Sequence, residues 1–127
     1  MLKLLLVGAA GAAGTVARYW LSTAAARRYG EAFPVGTLLV NVLGCFLAGF
    51  LFQLFEARLA GHESAQAIVM VGLLGGFTTF SSYGLQTFDL LRAGEVARAA
   101  VYLGLSNALG LALVWCGFAL GRSLSGL

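Results

Sequence analysis

The chain has 127 residues, of which 60% are hydrophobic and only 10% charged, and its mean hydropathy is +0.90. Soluble domains carry roughly 45–50% apolar and about 25% charged residues, so too little polar surface exists here to coat a water-soluble globule; disordered, collagen-like and disulfide-rich classes are excluded on the same composition. The net charge of +3 rests on scattered basic residues, without the basic face and interleaved aromatics that nucleic-acid binding requires, so a membrane protein remains.

Charges punctuate the chain at near-regular intervals. Between Lys3 and Arg27 lie 23 residues interrupted only by Arg18, between Glu31 and Glu56 lie 24, between Glu63 and Asp89 lie 25, and between Arg98 and Arg122 lie 23. A hydrocarbon core of roughly 30 Å takes about 20 helical residues at about 1.5 Å each. Lipid permits only helices or closed barrels, and continuous apolar runs without strict alternation favour helices. The predicted fold class is therefore an all-α membrane protein, a single domain 1–127 with four transmembrane helices at roughly 4–26, 33–55, 65–88 and 99–121.

The first span opens with a basic residue and an apolar run like a signal peptide, but the pattern continues past Arg18 into Tyr19 and Trp20, so an uncleaved span is expected. Arg18 sits about two-thirds along it. Two readings are open: the side chain snorkels to the interface, or it supplies positive potential to an anion vestibule. The second span starts after Pro34, a position where proline is tolerated. About two turns in, Asn41 shares a face with Thr37, Gly44 and Ala48. Its amide is either an interhelical staple or a neutral donor to a passing anion.

The third span carries the strongest signal, Gly72-Leu73-Leu74-Gly75-Gly76-Phe77-Thr78-Thr79-Phe80-Ser81-Ser82-Tyr83-Gly84. Adjacent glycines before a Thr/Ser run make a poor continuous helix, so a break in mid-membrane is predicted. A break leaves backbone groups unpaired, which is tolerated only against protein, water or an ion; a dry kink is the alternative. Phe80 and Tyr83, three residues apart, share a face just beyond it. Their ring edges are positive and can meet an anion, although core packing also explains two aromatics at that spacing. In the fourth span Tyr102 and Ser106 form a stripe, with Asn107 beside it, whose hydroxyls either relay an ion or bond the preceding turn.

Eighteen glycines, about twice the usual share of roughly 7%, recur at helical spacing and allow close backbone approach. Four helices are too few to enclose a polar path, so self-association is expected. Cys45 and Cys116 read as small buried hydrophobes and His62 as a solvated loop residue. No Asp, Glu, Lys or His lies mid-span, and no catalytic set or metal-ligand spacing points to an enzyme. Lys3, Arg58 and Arg122 fall on one side of the membrane and Arg27, Arg28, Arg92 and Arg98 on the other, a difference of one. Either a slight preference or a partner orients the chain, or copies insert both ways up.

Gly14-Thr15-Val16-Ala17-Arg18-Tyr19, Gly36-Thr37-Leu38-Leu39-Val40-Asn41-Val42-Leu43-Gly44 and Gly75-Gly76-Phe77-Thr78-Thr79-Phe80-Ser81-Ser82-Tyr83 resemble motifs of the bacterial fluoride channel family (Fluc, also called CrcB). The resemblance spans essentially the whole chain. It implies a dual-topology antiparallel homodimer in the bacterial cytoplasmic (inner) membrane, passing fluoride passively to lower its intracellular level, with one structural Na+ at the dimer centre. It further implies backbone carbonyls of Gly75 and Thr78 as Na+ ligands, and Thr37, Asn41, Phe80, Tyr83, Tyr102 and Ser106 along the ion pathway, with Arg18 in the vestibule. Tyr83 departs from the commoner Phe, and Gly110 carries no hydroxyl at the next stripe position. A small dual-topology multidrug exporter is the rival, although that class generally relies on a membrane carboxylate that is missing here; a non-conducting assembly subunit is the other.

Overall fold

The computed structural model describes residues 1–126, and among them every regular element is helical. Helix α1 runs Leu2–Tyr29 and α2 runs Val35–Arg58. The third span is composite: α3 (Glu63–Gln66), a π-helical segment (Ala67–Leu74), α4 (Gly75–Phe77) and α5 (Phe80–Arg92). Helix α6, Val96–Ser125, completes the chain. Four stretches, Leu2–Tyr29, Val35–Arg58, Glu63–Arg92 and Val96–Ser125, are long and apolar enough to cross a membrane. At about 1.5 Å per residue each exceeds a core of roughly 30 Å, so their ends reach the headgroup region.

Glycine decides which helices pair. Along α2 and α6, which run in the same direction, Gly49 faces the Val114 carbonyl, Gly117 the Phe46 carbonyl and Gly121 the Phe50 carbonyl, each where a Cβ would collide with backbone. Helix α1 runs alongside the third span in the same way: Gly72 lies on Val7, Gly76 on Gly11, and Gly14 against Leu73 and Phe77. Lipid tails are as apolar as leucine, so contact between backbones, rather than hydrophobic burial, drives such pairing. Gly36 against Ser22 joins α1 to α2 where the chain reverses, and the Arg58 guanidinium donates to the Leu124 carbonyl at 2.7 Å, tying the C-terminal ends of α2 and α6.

The break falls at Thr78 and Thr79, both extended (φ −79°, ψ 158° and φ −148°, ψ 110°), rather than at the adjacent glycines, which stay helical. Gly76 is needed for the close contact with α1, and the chain leaves the helix one turn later, where hydroxyls can take over the backbone bonds. Cys116 is exposed on α6 rather than buried within the chain, and Cys45 is half-buried; both are free thiols.

Candidate functional site

The break is held by a reciprocal pair of bonds from α2. Thr79 N–H donates to Asn41 Oδ1 at 2.8 Å, and Asn41 Nδ2 donates to the Thr79 carbonyl at 3.0 Å. Asn41 thus serves as a staple, with one N–H left over. Thr79 then caps α5: its hydroxyl accepts from Ser82 N–H at 3.2 Å and donates to Ser82 Oγ at 3.0 Å. Buried Thr79 meets its bonding needs in this way although no helix contains it.

Those two diversions have a consequence for the carbonyls. In a continuous helix Thr79 N–H would bond the Gly75 carbonyl and Ser82 N–H would bond the Thr78 carbonyl. Here both donors go to side chains, so the two carbonyls expected to face a cation are among the four, Gly75 to Thr78, that lose their i+4 partners at the break. Neutral carbonyl oxygens suit a hard monovalent cation, and the residues present fit Na+ in donor type. Two nearby carbonyls are engaged: Leu74 accepts from the N–H and the hydroxyl of Thr78, and Gly76 accepts from the Thr15 hydroxyl at 3.4 Å.

Asn41, Gly75, Thr78, Phe80, Tyr83 and Ser106 all border one cleft of about 440 Å³, whose lining contains no charged side chain. Phe80 projects from the chain, 83% exposed, with its ring centroid 5.6 Å from that of Tyr83. Ser106 Oγ is buried without a hydrogen-bond partner, so it does not bond the preceding turn. The Tyr83 ring lies tilted against Tyr102 at 5.3 Å between centroids, and Tyr102 meets Phe33 edge-on at 5.6 Å. The Tyr102 phenol, fully buried, donates to Gln86 Oε1 at 2.9 Å and lies beside the Thr37 hydroxyl.

Thr37, Gln86 and Phe33 open onto a second cleft of about 620 Å³ at the α1–α2 and α5–α6 turns, which also contains Glu31 and Asp89. The aromatic row Phe80, Tyr83, Tyr102, Phe33 therefore links the break to this mouth. Arg18 borders neither cleft; it is half-buried on the face of α1 that carries Gly14 and Ser22. Gln86 and Phe33 escaped the sequence reading. Gln86 shares the helical face of Tyr83, a signal that was present, whereas Phe33 precedes Pro34 in a turn with no periodicity to reveal it.

The second and third motifs thus meet at a helix break stapled by an asparagine, beside an uncharged cleft edged by aromatics. The family model described as CrcB-like protein, Camphor Resistance (CrcB), covers residues 5–118. The chain belongs to the CrcB-like family. Among its relatives is the fluoride-specific ion channel FluC of Nitratidesulfovibrio vulgaris, 40% identical over 96% of this chain and 98% of the relative. Those of Aquifex aeolicus (42%; 93% and 95%) and Methylocella silvestris (48%; 84% and 82%) carry the same name, which denotes a channel and not an enzyme. The residues matched by the family model include the break and the linings of both clefts.

Proposed function

We propose that this chain forms a fluoride-selective channel that lets the anion leave the bacterial cytoplasm passively. The observation that carries the proposal is the lining of the central cleft: amide, hydroxyl and ring hydrogens, with no fixed charge. Fluoride is small and tightly hydrated, so donors must replace its water; a lysine or arginine at the narrow point would hold it too long for conduction. Neutral donors at Asn41 and Ser106 and the ring edges of Phe80 and Tyr83 give several weak contacts instead, with the buried Tyr102 phenol committed to Gln86 behind them. An inside-negative potential drives an anion outward by roughly 2.3 kcal/mol per 100 mV, so an open path suffices for export.

The working unit is an antiparallel homodimer inserted both ways up in the inner membrane. Exposed Phe80 is then covered by the second copy, which closes the open side of the cleft. The near-equal basic counts on the two sides support dual insertion. Gly75 and Thr78 of each copy would hold Na+ through their carbonyls, and the ion would supply positive charge that keeps the two breaks together. Arg18, without an anionic partner among the described residues, would add positive potential at the pathway's flank.

The test is efflux from liposomes containing the purified protein, read with fluoride- and chloride-selective electrodes. Rapid fluoride release with chloride retained is expected. Equal release of both ions, or of neither, overturns the proposal.

A further inference from the structure

Tyr83 adds a hydroxyl to its ring edge, and the hydroxyl has a defined partner. Asn107 Nδ2 donates to the Leu103 carbonyl at 2.8 Å and to the Tyr83 oxygen at 3.0 Å. The first bond decides the second. A backbone carbonyl only accepts, so nitrogen and not Oδ1 must face Leu103, and the other hydrogen of that nitrogen is the one that reaches Tyr83. The Tyr83 oxygen is therefore an acceptor toward Asn107, and its own hydrogen must point elsewhere.

That hydrogen has no acceptor among the described residues, and Tyr83 borders the central cleft together with Ser106, whose hydroxyl is also unspent. A hydroxyl that accepts from an amide becomes a stronger donor in a low-dielectric site. We infer that the Tyr83 O–H is an additional donor to the anion in this cleft, and that Asn107 is the positioning residue that orients and polarises it. The inference rests on the fluoride-channel proposal and goes beyond it: ring edges alone would serve in a chain with Phe, whereas this chain holds the anion by a phenol set from α6. Its signature is in apparent affinity rather than in assembly.

Fluoride efflux from liposomes is measured against fluoride concentration for wild type, Tyr83→Phe, Asn107→Leu and the double variant. Loss of one hydrogen bond to an anion predicts a half-saturating concentration raised about tenfold or more in each single variant. The double variant shows no further rise, because Asn107 acts only through the phenol. Asn107→Ala, neutral and without the N–H donors, gives the same shift and replaces the leucine variant if that one fails to assemble. An isotope-edited tyrosine C–O stretch, assigned by its loss in Tyr83→Phe, moves in the Asn107 variants. A wild type that conducts fluoride with Tyr83→Phe indistinguishable from it, or additive effects in the double variant, overturns this inference alone. A wild type that conducts none overturns it together with the channel.

Discussion

Asn41 takes up the staple, one of the two roles that its sequence position left open. Its amide satisfies both backbone groups of Thr79, a buried residue outside any helix, and in doing so releases the Gly75 carbonyl. Replacing Asn41 with Ala leaves a buried N–H and C=O without partners, at a cost on the order of 2 kcal/mol or more. Thermal unfolding in detergent should show the loss, and fluoride efflux should fall with it. Asn41→Asp keeps the acceptor for Thr79 N–H while removing the donor, so it should unfold between wild type and Asn41→Ala; an Asn41→Ala protein as stable as wild type would mean the staple contributes nothing. The residue types at this site were legible because polar groups are scarce in lipid-spanning segments and each demands a partner. Which partner Asn41 takes was not, since Thr79 lies 38 residues away in sequence.

At the scale of elements, the glycines separate into those that touch backbone and those that touch nothing in the chain. A Cβ at Gly117 or Gly49 would strike a carbonyl of the facing helix, whereas Gly8 has open space around it. Gly117→Leu should therefore force α2 and α6 apart, at more than the roughly 1–3 kcal/mol usual for overpacking, because backbone rather than a side chain must yield. Size-exclusion chromatography should show aggregation or loss of the folded peak, with Gly8→Leu eluting as wild type; equal behaviour of the two would contradict the pairing. The four spans follow from charge spacing alone. The π-helical run Ala67–Leu74 has no such signature, because it concerns which carbonyl each N–H reaches and not which residues are apolar. Which residues of the glycine and hydroxyl run leave the helix was also not written in it: the glycines stay helical, whereas Thr78 and Thr79 can replace the lost backbone bonds and so give way first.

Over the whole molecule, little of the membrane-spanning surface is covered from within: only 6% of the most apolar stretch of α1 and 11% of that of α6 is buried. Lipid accounts for much of the remainder, since Trp115, Leu111 and Val71 are apolar and exposed. Phe80, beside the break, is different, because the neighbouring carbonyls of Gly75 and Thr78 need a polar or ionic partner that acyl chains do not provide. On the proposed function, replacing Na+ by a large organic cation should shift the dimer toward monomer and depress efflux, read by single-molecule photobleaching in lipid and by the electrode assay. Unchanged dimer population and flux in complete absence of Na+ would remove the ion from the architecture.

Sequence alone determined the solvent, the number of crossings and the residues out of place in it, because a bilayer charges a high free energy for every polar group and spaces the charges by its thickness. It also singled out the third span, since glycine and hydroxyl residues are weak helix formers wherever they occur. Only the tertiary structure decided that Asn41 closes on Thr79, that Tyr102 pairs with Gln86 and that Asn107 orients Tyr83. Hydrogen-bond partners are chosen by distances of about 3 Å between elements remote in the chain, and no local pattern of residues encodes them.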